Sequence, residues 1–306
     1  MQQQHSGGEG GRPRIAILGA GGRLGAALAR AFKEDSQVLP LGRLQADLSN
    51  PLHVVELVRQ ANPSIVINCA AMTNVDACET ERSLAATVNA EAPGTIAAAC
   101  TEIGARLIHI STDYVFSGEA SSPYAEDAAP RPLSWYGETK LQGELAVRAA
   151  GARHGVLRVS WVFGPDRDSF IDKALQTARQ GEPVKAVADK ISSPTYTLDV
   201  AAALRPLFAD QAPGGIYHVC NRGACTWQDW AQAALDAAID AGINMPIRNV
   251  EPIKLADLTA MVARRPVYSA MSCRRIEALM GGQSMRAWRE AVGDYVRLLV
   301  AEGRLS

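Results

Sequence analysis

The chain has 306 residues, of which 47% are hydrophobic and 21% charged, and its formal net charge is -1. This size and polarity suit one large core, or one core with an appended lobe. The near-neutral charge excludes the basic surface of most nucleic-acid-binding domains, so no nucleic acid polymer is expected as a partner. No apolar run approaches the roughly 18 residues of a membrane span, and segment 1–13 lacks the apolar centre of a signal peptide. We therefore expect no membrane association and a cytoplasmic location.

The first 160 residues alternate short aliphatic runs with longer Ala- and Leu-rich stretches, which is typical of a parallel sheet built from βαβ units. Strands are predicted, in chain order, at 14–18, 37–41, 65–68, 106–110 and 156–159. Helices are predicted at 24–32, 51–60, 81–103 and 134–148. The expected fold class is α/β, a Rossmann-like doubly wound parallel sheet with a smaller C-terminal substrate-binding lobe.

A glycine-rich turn directly follows the first predicted strand and opens the first predicted helix. Gly19, Gly22 and Gly25 have the spacing G-x-x-G-x-x-G, and Arg23 and Leu24 stand between the last two. Small residues let the backbone approach a pyrophosphate, and a helix N-terminus offers unpaired N–H groups. A turn without a ligand is the alternative, but the position between strand and helix favours dinucleotide binding.

The end of the second predicted strand carries Arg43, where NAD-preferring folds usually place an acidic residue on the ribose 2′-hydroxyl. A guanidinium can pair with a 2′-phosphate through charge-assisted hydrogen bonds, and Arg23 in the glycine turn is a candidate helper. NADP(H) is therefore the preferred cofactor and NAD(H) the alternative. Two solvated surface arginines are the competing interpretation.

Beyond Gly164 the chain changes character, because prolines divide it into shorter elements. We expect a dinucleotide-binding domain in residues 13–165, to which residues 195–220 return. Residues 166–194 and 221–306 are expected to form the smaller substrate-binding lobe. The six cysteines show no C-x-x-C spacing and the five histidines are dispersed, so no metal ligands are predicted and no histidine is nominated for a site.

Tyr136 and Lys140 are four positions apart, which places both side chains on one face of the predicted helix 134–148. A free tyrosine titrates near pH 10 and is a poor acid–base catalyst at neutral pH. A lysine charge about 4 Å away, at an effective dielectric near 20, favours phenolate by roughly 4 kcal/mol, or about 3 pKa units. This reasoning predicts a Tyr136 pKa close to the operating pH. A solvated helix face is the alternative.

Two hydroxyl residues, Ser111 and Thr112, stand at the carboxyl end of predicted strand 106–110, the edge where open α/β sheets bind ligands. Thr112 can donate a hydrogen bond to a carbonyl oxygen while Tyr136 supplies a proton and a nicotinamide delivers hydride to the carbon. The predicted catalytic set is therefore Thr112, Tyr136 and Lys140, of which the last two also contact the cofactor. A turn capped by the two hydroxyls is the alternative.

These motifs resemble those of the extended short-chain dehydrogenase/reductase superfamily and, within it, the dTDP-4-dehydrorhamnose reductase family. The matching segments span nearly the whole chain: 19–25, 66–76, 88–90, 111–116, 136–140 with 143–144, 160–164, 193–195 and 263–266. The resemblance implies NADPH- or NADH-dependent reduction of the 4-keto group of a dTDP-linked 6-deoxysugar. It also implies that Ala70 and Ala71 line the cofactor and that Asp47 and Leu48 lie by the adenine. The substrate contacts that it implies are Thr73, Val75, Thr112, Tyr114 and Trp161.

Two segments depart from the family pattern. Where the family usually reads D-Q-x-G-x-P-T, residues 189–195 read D-K-I-S-S-P-T, and where it usually has Asn-Phe this chain has Ser169 and Phe170. Both segments shape the sugar-nucleotide pocket, so a different keto-deoxysugar stays open as the substrate. A homodimer is one expected assembly, which the sequence alone does not establish.

Two other functions stay open. A nucleotide-sugar epimerase or dehydratase shares the cofactor fold and the Tyr/Lys pair, although the matching segments point to the reductases. The family also resembles a non-catalytic, nucleotide-binding regulatory subunit of methionine adenosyltransferase. The intact pair of Tyr136 and Lys140 argues against that second alternative.

Overall fold

The computed structural model describes residues 12–305. Residues 1–11, on which the expectation of no signal peptide mainly rests, lie outside the described residues. Within residues 12–305, none of the helices combines the length and the apolar character that crossing a bilayer requires.

The strands and helices alternate through the first half of the chain, as the aliphatic runs indicate. The strands are β1 (Arg14–Leu18), β2 (Gln37–Leu41), β3 (Ile65–Asn68), β4 (Arg106–Thr112), β5 (Gly155–Val159), β6 (Val162–Phe163), β7 (Lys185–Val187), β8 (Ile191–Ser192), β9 (Thr195–Tyr196), β10 (Gly215–His218), β11 (Cys225–Thr226) and β12 (Glu251–Ile253). The helices are α1 (Arg23–Phe32), α2 (Pro51–Ala61), α3 (Val75–Thr80), α4 (Arg82–Ala86), α5 (Ala92–Glu102), α6 (Trp135–Ala150), α7 (Phe170–Arg179), α8 (Thr197–Leu204), α9 (Trp227–Asp240), α10 (Arg274–Leu279) and α11 (Trp288–Ala301). Short 3-10 helices lie at Asp113–Val115, Arg205–Phe208 and Leu255–Asp257.

The central sheet has six parallel strands in the order β10-β5-β4-β3-β1-β2. Successive residues of β1 point to opposite faces. Ile15 and Ile17 pack against the side chains of α1 and α8, whereas Ala16 and Leu18 pack against α2 and α5. Both faces of the sheet are therefore covered, which explains why its strands are continuous aliphatic runs. The predicted α/β fold with a doubly wound parallel sheet is confirmed, and its carboxyl edge is where such folds bind ligands.

Two predicted elements differ from the observed ones near the carboxyl edge. Strand β4 continues through Thr112, because Ser111 and Thr112 pair with Arg158 and Val159 of β5. The predicted helix 81–103 is interrupted by a π-helical turn at Thr87–Glu91. That turn directs the Asn89 side chain to the loop after β3, where it accepts a hydrogen bond from the Met72 backbone N–H at 2.9 Å and donates one to the Met72 carbonyl oxygen at 3.1 Å.

A second core lies in the C-terminal part of the chain. Helices α7, α9 and α11 enclose an aromatic cluster in which Phe163 contacts Tyr196, Trp230 and Tyr295 at ring-centroid distances of 5.1 to 5.6 Å. The chain also returns to the central sheet, where β10 pairs with β5 at the sheet edge. The boundary between the two lobes stays a prediction.

Candidate active site

One cleft at the carboxyl edge of the sheet collects the residues that the sequence nominates. The cavity has a volume of about 1190 Å³ and is lined by the turns that follow β1, β2, β3, β4 and β5. Every predicted site residue lines it: Gly19, Gly22, Arg23, Leu24, Gly25, Arg43, Asp47, Leu48, Ala70, Ala71, Thr73, Val75, Thr112, Tyr114, Tyr136, Lys140 and Trp161. The fold therefore brings together side chains that are as many as 142 positions apart, from Gly19 to Trp161.

The glycine turn between β1 and α1 leaves space that side chains would fill. Gly19 has a φ of +75°, and a Cβ there would lie 2.7 Å from the Ala70 backbone nitrogen. A Cβ on Gly25 would collide with the Gly19 carbonyl oxygen, whereas Gly21 faces open space. Within residues 12–305, no side chain caps the N-terminus of α1, where Gly22 is the N-cap residue, so the first N–H groups of α1 are available to an anion. This turn fits a dinucleotide pyrophosphate.

The two arginines nominated for the 2′-phosphate have different surroundings. The Arg43 side chain is 81% exposed, and its Nε lies 3.3 Å from an Asp47 carboxylate oxygen. Arg23 donates hydrogen bonds to three carbonyl oxygens, those of Val162 at 3.1 Å, Arg167 at 3.0 Å and Asp168. A guanidinium has five N–H groups, so two of those on Arg23 remain for other partners. The three hydrogen bonds mainly hold the segment after β6 against the glycine turn. Arg43 is the better placed of the two for a phosphate.

The catalytic candidates meet where β4 ends and α6 begins. The Thr112 hydroxyl accepts a hydrogen bond from the Tyr114 backbone N–H at 3.2 Å and donates one to the Asp113 carboxylate at 3.2 Å. Tyr136 lies in the first turn of α6, and its ring meets the Tyr114 ring edge-on at 5.5 Å between centroids. A Cβ on Gly137 would collide with the Tyr114 carbonyl oxygen, so this glycine permits the close approach of α6 to the end of β4.

The predicted effect of Lys140 on the Tyr136 phenol is wrong for this cofactor-free structure. Burial raises the pKa of Tyr136 above its ordinary value, contact with the Thr112 hydroxyl partly opposes that shift, and the charge of Lys140 is not among the causes. The Lys140 amine instead donates a hydrogen bond to the Ile110 carbonyl oxygen at 2.7 Å. Burial also lowers the pKa of Lys140 to about 8. A lowered Tyr136 pKa requires a permanent charge on Lys140. Removal from water disfavours both the lysine ammonium and the tyrosine phenolate.

A second set of buried polar groups lies behind Thr112. Its neighbour Asp113 accepts hydrogen bonds from the Ser269 hydroxyl at 2.5 Å and the Ser192 hydroxyl at 3.1 Å, and burial raises the pKa of Asp113. Lys190 donates a hydrogen bond to the Pro266 carbonyl oxygen at 2.6 Å. Sequence reasoning did not nominate these residues as a group, because they come from three distant segments.

Lys190 stands where the family pattern has glutamine, and it lies behind two of the nominated substrate residues. Its amine is 5.2 Å from the centroid of the Tyr114 ring and 5.9 Å from that of the Trp161 ring. Trp161 itself has a φ of +43°, which is unusual for a side chain of this size, and its buried Nε1–H has no partner among residues 12–305. The departure at position 190 therefore lies next to two side chains that line the cleft.

The loop that carries Thr73 and Val75 is tied to the C-terminal part of the chain. Asp76 accepts hydrogen bonds from the backbone N–H groups of Val262 at 2.9 Å and Ala263 at 2.8 Å, and it pairs with Arg265 at 2.7 Å. Hydrogen bonding to Arg265 is the main reason that the pKa of Asp76 falls to about 2. This contact fixes the position of the segment that follows Thr73 and Val75.

His109 is a functional neighbour that sequence reasoning missed. Its ring is fully buried in β4, with Nε2 at 3.2 Å from the Lys140 amine and Nδ1 at 3.2 Å from the Asn68 amide nitrogen. Its position two residues before Ser111 was the available signal, since alternate residues of a strand share a face. A histidine in a strand that is otherwise aliphatic also needs a polar partner.

The parallel sheet, the glycine turn after β1 and the Tyr136/Lys140 pair on α6 define a dinucleotide-binding fold of the short-chain dehydrogenase/reductase type. Within that class the chain belongs to the RmlD substrate binding domain family, whose sequence profile matches residues 13–300.

Named relatives resemble this chain over most of its length. A dTDP-4-dehydrorhamnose reductase of Mycolicibacterium smegmatis is 39% identical over 94% of this chain and 86% of the relative. A probable dTDP-4,6-dihydroxy-2-methyloxan-3-one 4-ketoreductase of Streptomyces antibioticus is 36% identical over 94% of this chain and 97% of the relative. The crystal structure of dTDP-4-dehydrorhamnose reductase from Bacillus anthracis, in complex with NADP, is 32% identical and superposes with a TM-score of 0.86, covering 94% of this chain and 99% of the other.

Proposed function

We propose that this protein uses NADPH to reduce the 4-keto group of a nucleotide-linked 6-deoxysugar, with dTDP as the expected nucleotide and Tyr136 as the proton donor. One observation supports the proposal most strongly: Thr112 and Tyr136 line the same cleft as the glycine turn. The names of the relatives support the reaction class, and the NADP in the Bacillus anthracis structure supports the cofactor, with NADH as the alternative.

The residues of this chain would divide the chemistry between them. NADPH, when bound, supplies the hydride that adds to the carbonyl carbon. The Tyr136 hydroxyl gives its proton to the carbonyl oxygen, which completes the alcohol, and Thr112 donates a hydrogen bond to that oxygen while negative charge develops on it. The rings of Tyr114 and Trp161 line the cleft beside these groups and would limit the access of water to a bound carbonyl.

The sugar is less narrowly defined than the reaction. Lys190, Ser169 and Phe170 depart from the usual family pattern, and the relative from Streptomyces antibioticus is named for a different keto sugar. A keto-deoxysugar other than 4-dehydrorhamnose is therefore the second candidate substrate.

The proposal is tested by following NADPH absorbance with a panel of dTDP-, UDP- and GDP-linked 4-keto sugars. We expect oxidation of one NADPH per sugar reduced, with the dTDP-linked substrates fastest. Interconversion of sugars without net NADPH consumption would instead indicate an epimerase. Binding of NADPH without turnover of any sugar, together with copurification of a synthetase, would indicate a regulatory subunit.

Replacing Arg43 by alanine is expected to weaken NADPH binding by about 10- to 100-fold, because a charge-assisted hydrogen bond contributes roughly 1.5–3 kcal/mol. NADH, which lacks the 2′-phosphate, should bind within a few fold of the unaltered protein. Fluorescence titration of both cofactors measures this. Arg248→Ala, at an exposed position outside the cleft, is the matched control. Equal weakening for both cofactors would show that Arg43 does not bind the 2′-phosphate.

Two broader expectations from the sequence stay predictions. Sedimentation velocity tests whether two copies of the chain associate. Fractionation of the producing cells tests the cytoplasmic location.

A further inference from the structure

Three buried polar side chains form a row behind the cofactor side of the cleft. They are Asn68 at the end of β3, His109 in β4 and Lys140 in α6, and none is more than 1% exposed. The row begins at the backbone of Ala70, which lines the cleft, and ends at the catalytic lysine.

The orientation of the Asn68 amide is fixed at one end of this row. Its Oδ1 accepts a hydrogen bond from the Ala70 backbone N–H at 3.0 Å, so its Nδ2 faces His109 Nδ1 at 3.2 Å. The reverse orientation would set the Asn68 NH₂ group against the Ala70 N–H, which are both donors. Because an amide nitrogen can only donate, Nδ1 of His109 must be the acceptor.

This acceptor role determines where the ring proton of His109 lies. A neutral imidazole has one acceptor nitrogen and one N–H, so Nε2 carries the hydrogen. Burial is the main cause that holds the pKa of His109 well below its ordinary value, and this favours the neutral ring. The Nε2–H therefore points at the Lys140 nitrogen, 3.2 Å away.

A lysine can accept that hydrogen only through a lone pair, and an ammonium has none. An uncharged amine satisfies both contacts, because it accepts from His109 Nε2–H and donates to the Ile110 carbonyl oxygen at 2.7 Å. We propose that Asn68 and His109 are positioning residues that fix the Nε2–H tautomer and thereby favour the uncharged amine of Lys140 in the cofactor-free protein.

The other groups around Lys140 are compatible with an uncharged amine. Glu144, one turn further along α6, favours the ammonium, but its carboxylate is paired with Arg158 at 2.6 Å. Cys69, directly after β3, is half-buried, and removal of its thiol from water raises its pKa to about 12, so the thiol is neutral. Tyr136, one turn earlier on α6, is likewise neutral because burial raises its pKa. Burial of Lys140 lowers its pKa to about 8, so the uncharged amine is the main form at about pH 9.

The lysine charge is then not a permanent part of the site. Formation of the ammonium requires either a change of the His109 tautomer, which would break the contact with Asn68, or loss of the contact between His109 Nε2 and the Lys140 amine. The significance of this for proton transfer by Tyr136 rests on the proposed function. The His109 tautomer is a property of the cofactor-free protein, and it does not depend on the proposed function.

The tautomer can be observed directly in the cofactor-free, 15N-labelled protein at about pH 9. Two-bond 15N–1H correlation spectra of the imidazoles distinguish a protonated Nε2 from a protonated Nδ1, and the loss of one ring in His109→Gln assigns the signal. We expect Nε2–H in the unaltered protein. In Asn68→Asp we expect Nδ1–H, because a carboxylate accepts a hydrogen where the amide donated one. An Nδ1–H tautomer of His109 in the unaltered protein would overturn the proposal, even if Asn68→Asp does not fold.

The ionisation of Lys140 provides the second measurement. The 13Cε shift of this lysine, one of six in the chain, should titrate at least about one pH unit higher in Asn68→Asp than in the unaltered protein. Asn50→Asp adds the same charge at an exposed helix cap and should change neither the tautomer nor the titration. The proposal would be contradicted if Asn68→Asp changed neither the tautomer of His109 nor the titration of Lys140. A protein with the expected tautomer but no reductase activity would count against the proposed function alone.

Discussion

Tyr136→Phe is expected to lower kcat by about 100-fold or more while NADPH affinity stays within a few fold. The substitution removes the hydroxyl that would protonate the carbonyl oxygen and keeps the ring that packs against Tyr114. Proton transfer by a positioned side chain contributes about 100- to 10,000-fold to a rate, and cofactor binding does not depend on that step. Steady-state kinetics with the preferred keto sugar and a fluorescence titration with NADPH measure the two quantities.

The matched control for this substitution is Tyr268→Phe, which removes a phenol outside the residues that line the cleft. We expect its turnover to equal that of the unaltered protein. Near-normal turnover in Tyr136→Phe would refute the assignment of Tyr136 as proton donor. An equal loss in both variants would indicate a general effect on folding.

Glu144→Leu is expected to lower the free energy of unfolding by about 3–5 kcal/mol, because it leaves the Arg158 guanidinium buried without its counter-charge. Both side chains are 1% exposed, and three hydrogen bonds join them, from Arg158 Nε to Oε1 at 2.9 Å and to Oε2 at 3.2 Å and from Nη2 to Oε2 at 2.6 Å. Arginine cannot lose its proton to relieve the cost. The same carboxylate accepts a hydrogen bond from Ser111 at 2.5 Å, so the pair also supports the end of β4. Urea-induced unfolding measures the change.

The double variant Glu144→Leu with Arg158→Met is the control for this prediction. Removal of both charges leaves no unpaired ion, so the double variant should be closer in stability to the unaltered protein than Glu144→Leu is. If the free energy of unfolding of Glu144→Leu lay within about 1 kcal/mol of that of the unaltered protein, water would have to reach the Arg158 guanidinium.

The sheet could be predicted from the sequence because its strands are buried on both faces. A strand such as β1, with both faces covered, must be aliphatic throughout, and the glycine turn marks where it ends. The interruption of the helix at Thr87–Glu91 could not be predicted, because it depends on a contact between Asn89 and the loop at Met72. That contact joins residues that only the folded chain brings together.

The site was predictable where its chemistry depends on local spacing. Tyr136 and Lys140 are neighbours on one helix, and Gly19 to Gly25 form one turn, so each set could be recognised without the rest of the fold. Burial was not predictable in this way, and it reverses the expected shift in the Tyr136 pKa. The partners of Lys140 were missed for the same reason, since Asn68 and His109 reach it only through the pairing of β3 with β4.

The proposed reduction is tested most directly by following the hydrogen that NADPH transfers. The protein is incubated with NADPH deuterated at the transferring C4 position and a dTDP-linked 4-keto-6-deoxysugar, and the product is examined by mass spectrometry and NMR. We expect one deuterium at C4 of the sugar and one NADP⁺ for each sugar reduced. A sugar product without deuterium, or one formed while the NADPH remains reduced, would contradict the assignment of this cleft as a keto-sugar reductase site.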